Sequence, residues 1–199
     1  MTNRVSFVYQ SKIIYTLLMK CLYGHHYKYR YRAIAEKIPR GASVTDVCSG
    51  DSVLYTRYLK GKNKYTGIDI NPLTSFNSQW AKTIKVDIVK EAIPKADYVV
   101  MQGSLYQFIP NHKEIINKML DSARYKVIIS EPVINLVNSK NKIISTIAKY
   151  SANPSTGNKK FRFTKSLLNN FFRKNYKDLI ENTSFAAGGR DMLFILRAK

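Results

Sequence analysis

The chain has 199 residues, 45% hydrophobic and 23% charged, the size and composition of one globular domain rather than a fibrous or disordered chain. Its 33 Lys and Arg against 13 Asp and Glu give a net charge of +20, a field that favours anionic partners such as RNA or an anionic membrane surface, although the same richness in Lys, Asn, Ile and Tyr is what AT-rich codons encode. Two cysteines, Cys21 and Cys48, exclude a disulfide framework, three histidines in no ligand spacing give no metal site, and no run is apolar for the roughly 18 residues a membrane span needs.

Residues 11–37 read as helical. Ile13, Ile14, Leu17, Leu18, Cys21 and Leu22 recur at spacings of three and four, one helix face. Lys20 and the lack of a small-residue cleavage site argue against a signal peptide, so a cytoplasmic protein is expected. Gly24 divides this stretch, and a second helix from about residue 27 stops before Pro39 and Gly41. The period then changes. Strands are expected at 44–47, 64–70, 83–89 and 97–101, with a short helix at 53–59 and a loop or helix at 73–80.

Asn111 followed by Glu114 is an Asn version of the capping box, opening a helix with the stripe Ile115, Ile116, Met119 and Leu120. A fifth strand covers 126–130, a helix 138–150 and a loop 153–158. Thr164 caps a helix whose face is Leu167, Leu168, Phe171 and Phe172, and strands at 176–181 and 192–197 flank the turn at Gly188 and Gly189. Strands alternating with helices predict an α/β fold: a doubly wound, mostly parallel seven-stranded sheet with helices on both faces. The last two strands follow each other without a helix, which predicts an antiparallel edge on the otherwise parallel sheet, with the last strand antiparallel. Residues 1–40 form a helical N-terminal cap on the domain of residues 41–199.

In such a sheet the ligand sits at the carboxyl ends of the strands. The first strand ends in Asp46-Val47-Cys48-Ser49-Gly50-Asp51-Ser52, where Gly50 permits a tight turn and close approach to a ligand. Asp69 ends the second strand, 19 residues after Gly50, the spacing of a carboxylate that grips ribose hydroxyls. Asp87 and Ile88 end the third, a carboxylate for an adenine amino group beside an apolar side chain for its ring.

This series resembles the class I, Rossmann-like, S-adenosylmethionine-dependent methyltransferases, over about residues 32–131. The resemblance implies that Asp46, Cys48, Ser49, Gly50 and Asp51 form the cofactor loop. It implies further that Asp69 and Ile70 hold the ribose, Asp87 and Ile88 the adenine, and Met101 and Gln102 the methionine part of S-adenosyl-L-methionine. The family's loop carries three alternating glycines; here Cys48 and Ser52 occupy two of those places. No dinucleotide fingerprint, phosphate loop or nucleophile elbow is present.

Methyl transfer needs orientation more than a catalytic triad. Glu131 and Tyr106 are the first candidates on the acceptor side, with Gln107 and His112 beside them and Tyr23, His25, His26 and Tyr27 as a covering group. The place after the fourth strand reads Gln102-Gly103-Ser104-Leu105 rather than the Pro-Pro-aromatic pattern of amino-group methylases of nucleic acids, which favours a small-molecule or a lipid- or sugar-linked acceptor. Tyrosines interleaved with bases at residues 27–32 leave open an RNA-directed enzyme or a non-catalytic RNA- or anion-binding module.

Overall fold

The computed structural model describes residues 23–134 and 162–199. The expected helix at 138–150, the loop at 153–158 and residues 11–22 of the first helix lie outside them.

Seven strands form one sheet in the order β3-β2-β1-β4-β5-β7-β6. β1 (Ser43–Val47) pairs in parallel with β2 (Lys64–Asp69) and β4 (Ala96–Gln102). β3 (Ala81–Lys85) lies outside β2, and β5 (Ala123–Pro132) beside β4. β7 (Asp191–Arg197) runs antiparallel to both β5 and β6 (Ile180–Ala186). Strand order reverses between β1 and β4, so the crevice of this sheet opens above Val47 and Gln102.

The antiparallel pair β6–β7 forms one edge of the sheet, as expected, with the reversed β7 inside and β6 outermost. A strand with neighbours on both sides and cover on both faces must be apolar throughout. The run from Met192 to Leu196 meets that requirement and is buried, whereas Glu181, Asn182 and Thr183 of β6 are exposed.

Side chains of successive strand residues alternate between two cores. On one face Val44, Val100, Ile128 and Leu193 pack under Ile34 of α1 (Tyr27–Ala35) and under Leu54, Tyr55 and Leu59 around a π-helical turn (Tyr55–Leu59). On the other, Val47, Met101 and Ile129 pack under α2 (His112–Ser122) and α3 (Lys165–Tyr176). α1 lies against the sheet flank. Its start reaches the carboxyl rim, where Arg30 meets Asp191, and the chain beyond its end reaches the amino end, where Gly41 N–H donates to Lys62 C=O.

Four local expectations change. The third strand is shifted to Ala81–Lys85, because the chain turns at Asp87, whose C=O accepts from Lys90 and Glu91 N–H. The Asn111 side chain makes no capping bond; its backbone sits at φ −87 ψ 15 and its C=O accepts from Glu114 N–H. Thr164 does cap α3, Oγ1 accepting from Leu167 N–H at 3.2 Å, but the buried stripe is Leu168, Phe172 and Tyr176, with Leu167 exposed. Tyr176 ends that helix, and β6 begins only at Ile180.

Candidate active site

The loop after β1 is held in a conformation usually reserved for glycine. Cys48, Gly50 and Ser52 have φ of 59°, 50° and 53°, the same alternating places at which the sequence shows one glycine and two small residues. A side chain in that region costs about 1–2 kcal/mol, so the loop must be held by contacts. Asp69 supplies two of them, Oδ2 accepting from Gly50 N–H (3.0 Å) and Oδ1 from Asn71 N–H (2.8 Å). Leu73 N–H donates to Gly50 C=O, and Ser52 Oγ accepts from Thr74 Oγ1. Gly67 completes the fit: a Cβ there would lie 2.8 Å from Ser49 Oγ.

A cavity of about 610 Å³ opens beside this loop, within the size range of small-molecule sites. Its walls bring together Cys48, Gly50, Asp69, Ile70, Asp87 and Ile88, and across from them Gly103, Ser104 and Tyr106. Gln107 also lines it. Asp69 keeps lone pairs free beyond its two backbone bonds. Asp87 Oδ1 accepts from Val89 N–H at 3.1 Å. Burial and the neighbouring Asp69 hold the Cys48 thiol well above its usual range, so it is a protonated wall residue rather than a nucleophile.

The other expected residues lie behind the walls. Met101 is wholly buried in the core. Asp46 is buried with Oδ2 accepting from Tyr65 OH at 2.8 Å; burial, against that hydrogen bond, pushes its carboxyl up to about 7. Asp51 is buried beneath the loop. Ser49 Oγ and both polar atoms of the Gln102 side chain are buried with no hydrogen-bond partner. Such atoms cost about 1–3 kcal/mol each unless a ligand satisfies them.

Glu131 is fully buried at the end of β5. Oε1 accepts from Leu105 N–H at 2.7 Å, Oε2 has no partner, and burial pushes its carboxyl up to about 7. It grips the turn Leu105–Phe108 from behind rather than facing the cavity. Tyr106 does face it, with the Arg162 guanidinium 4.0 Å from its ring centre. His112 stands apart, its ring tilted against Phe171 with centres 4.3 Å apart, and burial lowers its pKa.

Two features escaped sequence reasoning. Lys118 Nζ donates to the carbonyls of Ile88 (2.8 Å), Val89 (2.9 Å) and Glu91 (3.3 Å), tying α2 to the loop after β3. Arg30 Nε donates to Asp191 Oδ2 at 2.6 Å, both groups buried, while Tyr23 OH donates to Oδ1 at 3.0 Å. The Arg30 guanidinium also comes so close to Gly103 that a Cβ there would lie 3.0 Å from Nη2. These contacts join residues far apart in the chain, and no local pattern marks them.

No known family pattern and no curated protein matches the sequence. Solved structures do match the fold. A putative methyltransferase of Haloferax volcanii, in complex with the Trm112 methyltransferase activator, aligns with a TM-score of 0.66 at 11% identity over 96% of this chain and 97% of that one. The magnesium protoporphyrin IX methyltransferase of Synechocystis PCC 6803, with bound S-adenosylhomocysteine, gives 0.57 at 14% identity over 100% and 90%. An O-methyltransferase family 2 protein of Planctomyces limnophilus, in complex with apigenin, gives 0.60 at 13% identity; the chain covers 60% of its length. At these identities the likeness shows the fold, and that fold is the class I methyltransferase fold.

Proposed function

We propose that this chain, folded as a class I methyltransferase, transfers a methyl group from S-adenosyl-L-methionine to a small-molecule or lipid- or sugar-linked acceptor. The observation that carries the reading is the single cavity onto which Gly50, Asp69, Asp87 and Ile88 converge from three successive strand ends.

The residues present fit the cofactor. Asp69 has acceptor capacity for ribose hydroxyls, Asp87 for an adenine amino group, and Ile88 an apolar surface for the ring. The orphaned Ser49 Oγ and Gln102 amide adjoin the lining residues Gly50 and Gly103, where the amino-acid part would lie. When bound, the cofactor supplies an electrophilic methyl group on a sulfonium. Gly103 lines the cavity at the end of β4, and Tyr106 offers a hydroxyl and a ring on the cavity wall. Glu131 acts through Leu105, fixing the turn that carries Tyr106. The N-terminal segment, at whose end Tyr23 and Arg30 reach the rim, helps keep the site dry.

The RNA module draws less support. Of the six interleaved residues, Tyr27 and Arg30 are buried, which leaves Lys28, Tyr29 and Arg32 as the exposed basic and aromatic groups. No helix among the described residues is long and apolar enough to cross a membrane, and no cluster of His, Cys, Asp or Glu among them suits a metal. An unbiased experiment tests the reading: incubate protein and cofactor with cell extract and search by mass spectrometry for a metabolite that gains one methylene. Such a product, absent with Asp69→Ala protein, is expected; the same products with and without protein would count against it.

A further inference from the structure

The path of the chain leaves one end of the sheet open. Parallel neighbours are joined across a face, usually by a helix, but the connection from β3 to β4 carries none. It crosses on the α2 side, where Thr45 Oγ1 donates to Pro94 C=O, and α2 itself packs on β4 and β5. At the amino end of β2 and β3 that face keeps exposed side chains. Tyr65 and Ala81 point into the core under α1, so Lys64 and Lys82, next to them in each strand, point the other way. Both lysines are exposed, with Thr66 beside Lys82 across the strand pair.

Trp80, the chain's sole tryptophan, stands at the start of this edge and is 59% exposed. Its C=O accepts from Tyr65 N–H, which sets it beside Lys64. The turn that presents it is fixed: Ser78 Oγ accepts from the N–H groups of Trp80 (3.3 Å) and Ala81 (3.0 Å), and Ser78 N–H donates to Ala81 C=O. Asn77 and Gln79 flank the ring, both exposed.

Cations gather at this end and carboxylates do not. Arg40, Lys60 and Lys62 are exposed like Lys64 and Lys82, and the bond from Gly41 N–H to Lys62 C=O brings Arg40 to the start of β2. None of the five pairs with a carboxylate among the described residues. Residues 60–86 hold five lysines against one carboxylate, Asp69, which sits at the other end of β2 on Gly50 N–H. Residues 87–131 hold six Lys and Arg against six Asp and Glu, so the positive charge is concentrated rather than spread evenly. Asp97, at the start of β4, is matched by Arg124 at 2.7 Å.

We propose that this surface binds single-stranded RNA, with a base stacked on Trp80 and the flanking phosphates held by Lys64, Lys82 and the cations of the rim. An unpaired base offers a flat face to the indole, which a closed duplex does not, and its backbone supplies the anions that these lysines lack. Asn77 and Gln79 carry amides that both donate and accept, the property needed to engage the 2′-hydroxyl that tells RNA from DNA. A membrane surface would ask for further apolar side chains around Trp80, where the exposed neighbours are Asn77, Ser78 and Gln79. The surface lies at the amino ends of the strands and the methyl-donor cavity at their carboxyl ends. The RNA therefore anchors the protein without placing its stacked base in the cavity, and the proposal stands independently of the methyltransferase reading.

The probe is oligouridylate of about 12 nucleotides, and the emission of Trp80 is the direct readout. Saturable quenching is expected, with an affinity that falls steeply as salt rises. Trp80→Ala, followed by the anisotropy of labelled RNA, should weaken binding about tenfold. Lys64→Gln with Lys82→Gln should weaken it and lower the slope of log affinity against log salt by about 1.4. Arg173→Gln with Lys174→Gln removes the same charge from α3 and should change affinity by less than about twofold. Oligodeoxythymidylate of equal length should bind more weakly than the RNA. S-adenosylhomocysteine affinity should be unchanged in every variant, which establishes that they are folded. No quenching at saturating RNA, an affinity indifferent to Trp80, equal losses in the two double variants, or DNA bound as tightly as RNA overturns the proposal. So does stronger quenching by polyglutamate or by phosphatidylglycerol vesicles than by RNA, which would give the surface to an acidic protein or to a membrane. Absence of S-adenosylhomocysteine binding in wild type would overturn the donor reading instead and leave this one standing.

Discussion

Two turns at the same rim of the sheet each hold three residues in left-handed backbone, and they do so differently. In the loop after β1 the left-handed residues alternate, at Cys48, Gly50 and Ser52; in the turn before β7 they are consecutive, at Ala187, Gly188 and Gly189. The first is held by its chain neighbourhood, chiefly Asp69 on the adjacent strand. The second is held by α1 and the turn before it, where His26 lies on Gly188 and Arg30 of α1 pairs with Asp191. A loop braced by the next strand recurs as a readable pattern, whereas a turn braced by a distant helix exists only once the chain has folded.

Breaking the second brace should have the largest effect. Arg30→Met leaves Asp191 buried and charged, so unfolding in denaturant should show a loss of about 3–5 kcal/mol. Arg30→Met with Asp191→Leu should recover most of it, since buried pairs are often replaceable by apolar packing. Full loss in the double variant would mean that the pair is needed for more than mutual compensation.

The next effect concerns pH. Asp46 and Glu131 have carboxyls raised to about 7 from ordinary values of 3.8 and 4.5. The folded state thus binds protons that the unfolded chain has released. Stability should fall as pH rises from about 4 towards 7 and level off above that. Asp46→Asn and Glu131→Gln should each flatten this slope in melts across that range; a slope unchanged in both variants would show that other groups set it.

Smaller effects separate the two turns. Gly50→Ala meets no atom within 4 Å, so only the backbone term of about 1–2 kcal/mol is expected in the free protein. Gly188→Ala adds the collision with His26 and should cost more; equal losses would show that His26 yields without resistance. Smallest of all, Lys118→Met should weaken S-adenosylhomocysteine binding by about fivefold while changing stability by about 1 kcal/mol, because it frees the carbonyls that fix the Ile88 loop.

The wall of the cavity built from β1, β2 and β3 was legible because its parts are local. Gly50, Asp69, Asp87 and Ile88 each sit where a strand gives way to a turn, and the cavity brings all four together. Reading by position in the chain overreached for Met101, whose side chain points into the core. It gave the antiparallel edge, but two strands without an intervening helix say nothing of which one lies inside. The apolar run from Met192 to Leu196, set against the polar Glu181, Asn182 and Thr183, carried that information in composition rather than in order. The contacts of Arg30, Lys118 and His26 were not legible at all. A lysine on α2 gives no sign that three carbonyls wait for it, and a tyrosine- and arginine-rich helix looks the same whether those side chains face a ligand, water or Asp191.

The central claim is that the cavity holds S-adenosylmethionine with Asp69 on its ribose, and titration calorimetry with S-adenosylhomocysteine tests it most directly. The account predicts binding in the micromolar range, weakened at least about tenfold in Asp69→Ala, because a hydrogen bond to a charged group contributes about 1.5–3 kcal/mol. No heat of binding to folded protein at about 1 mM ligand, or an affinity indifferent to Asp69, would contradict it.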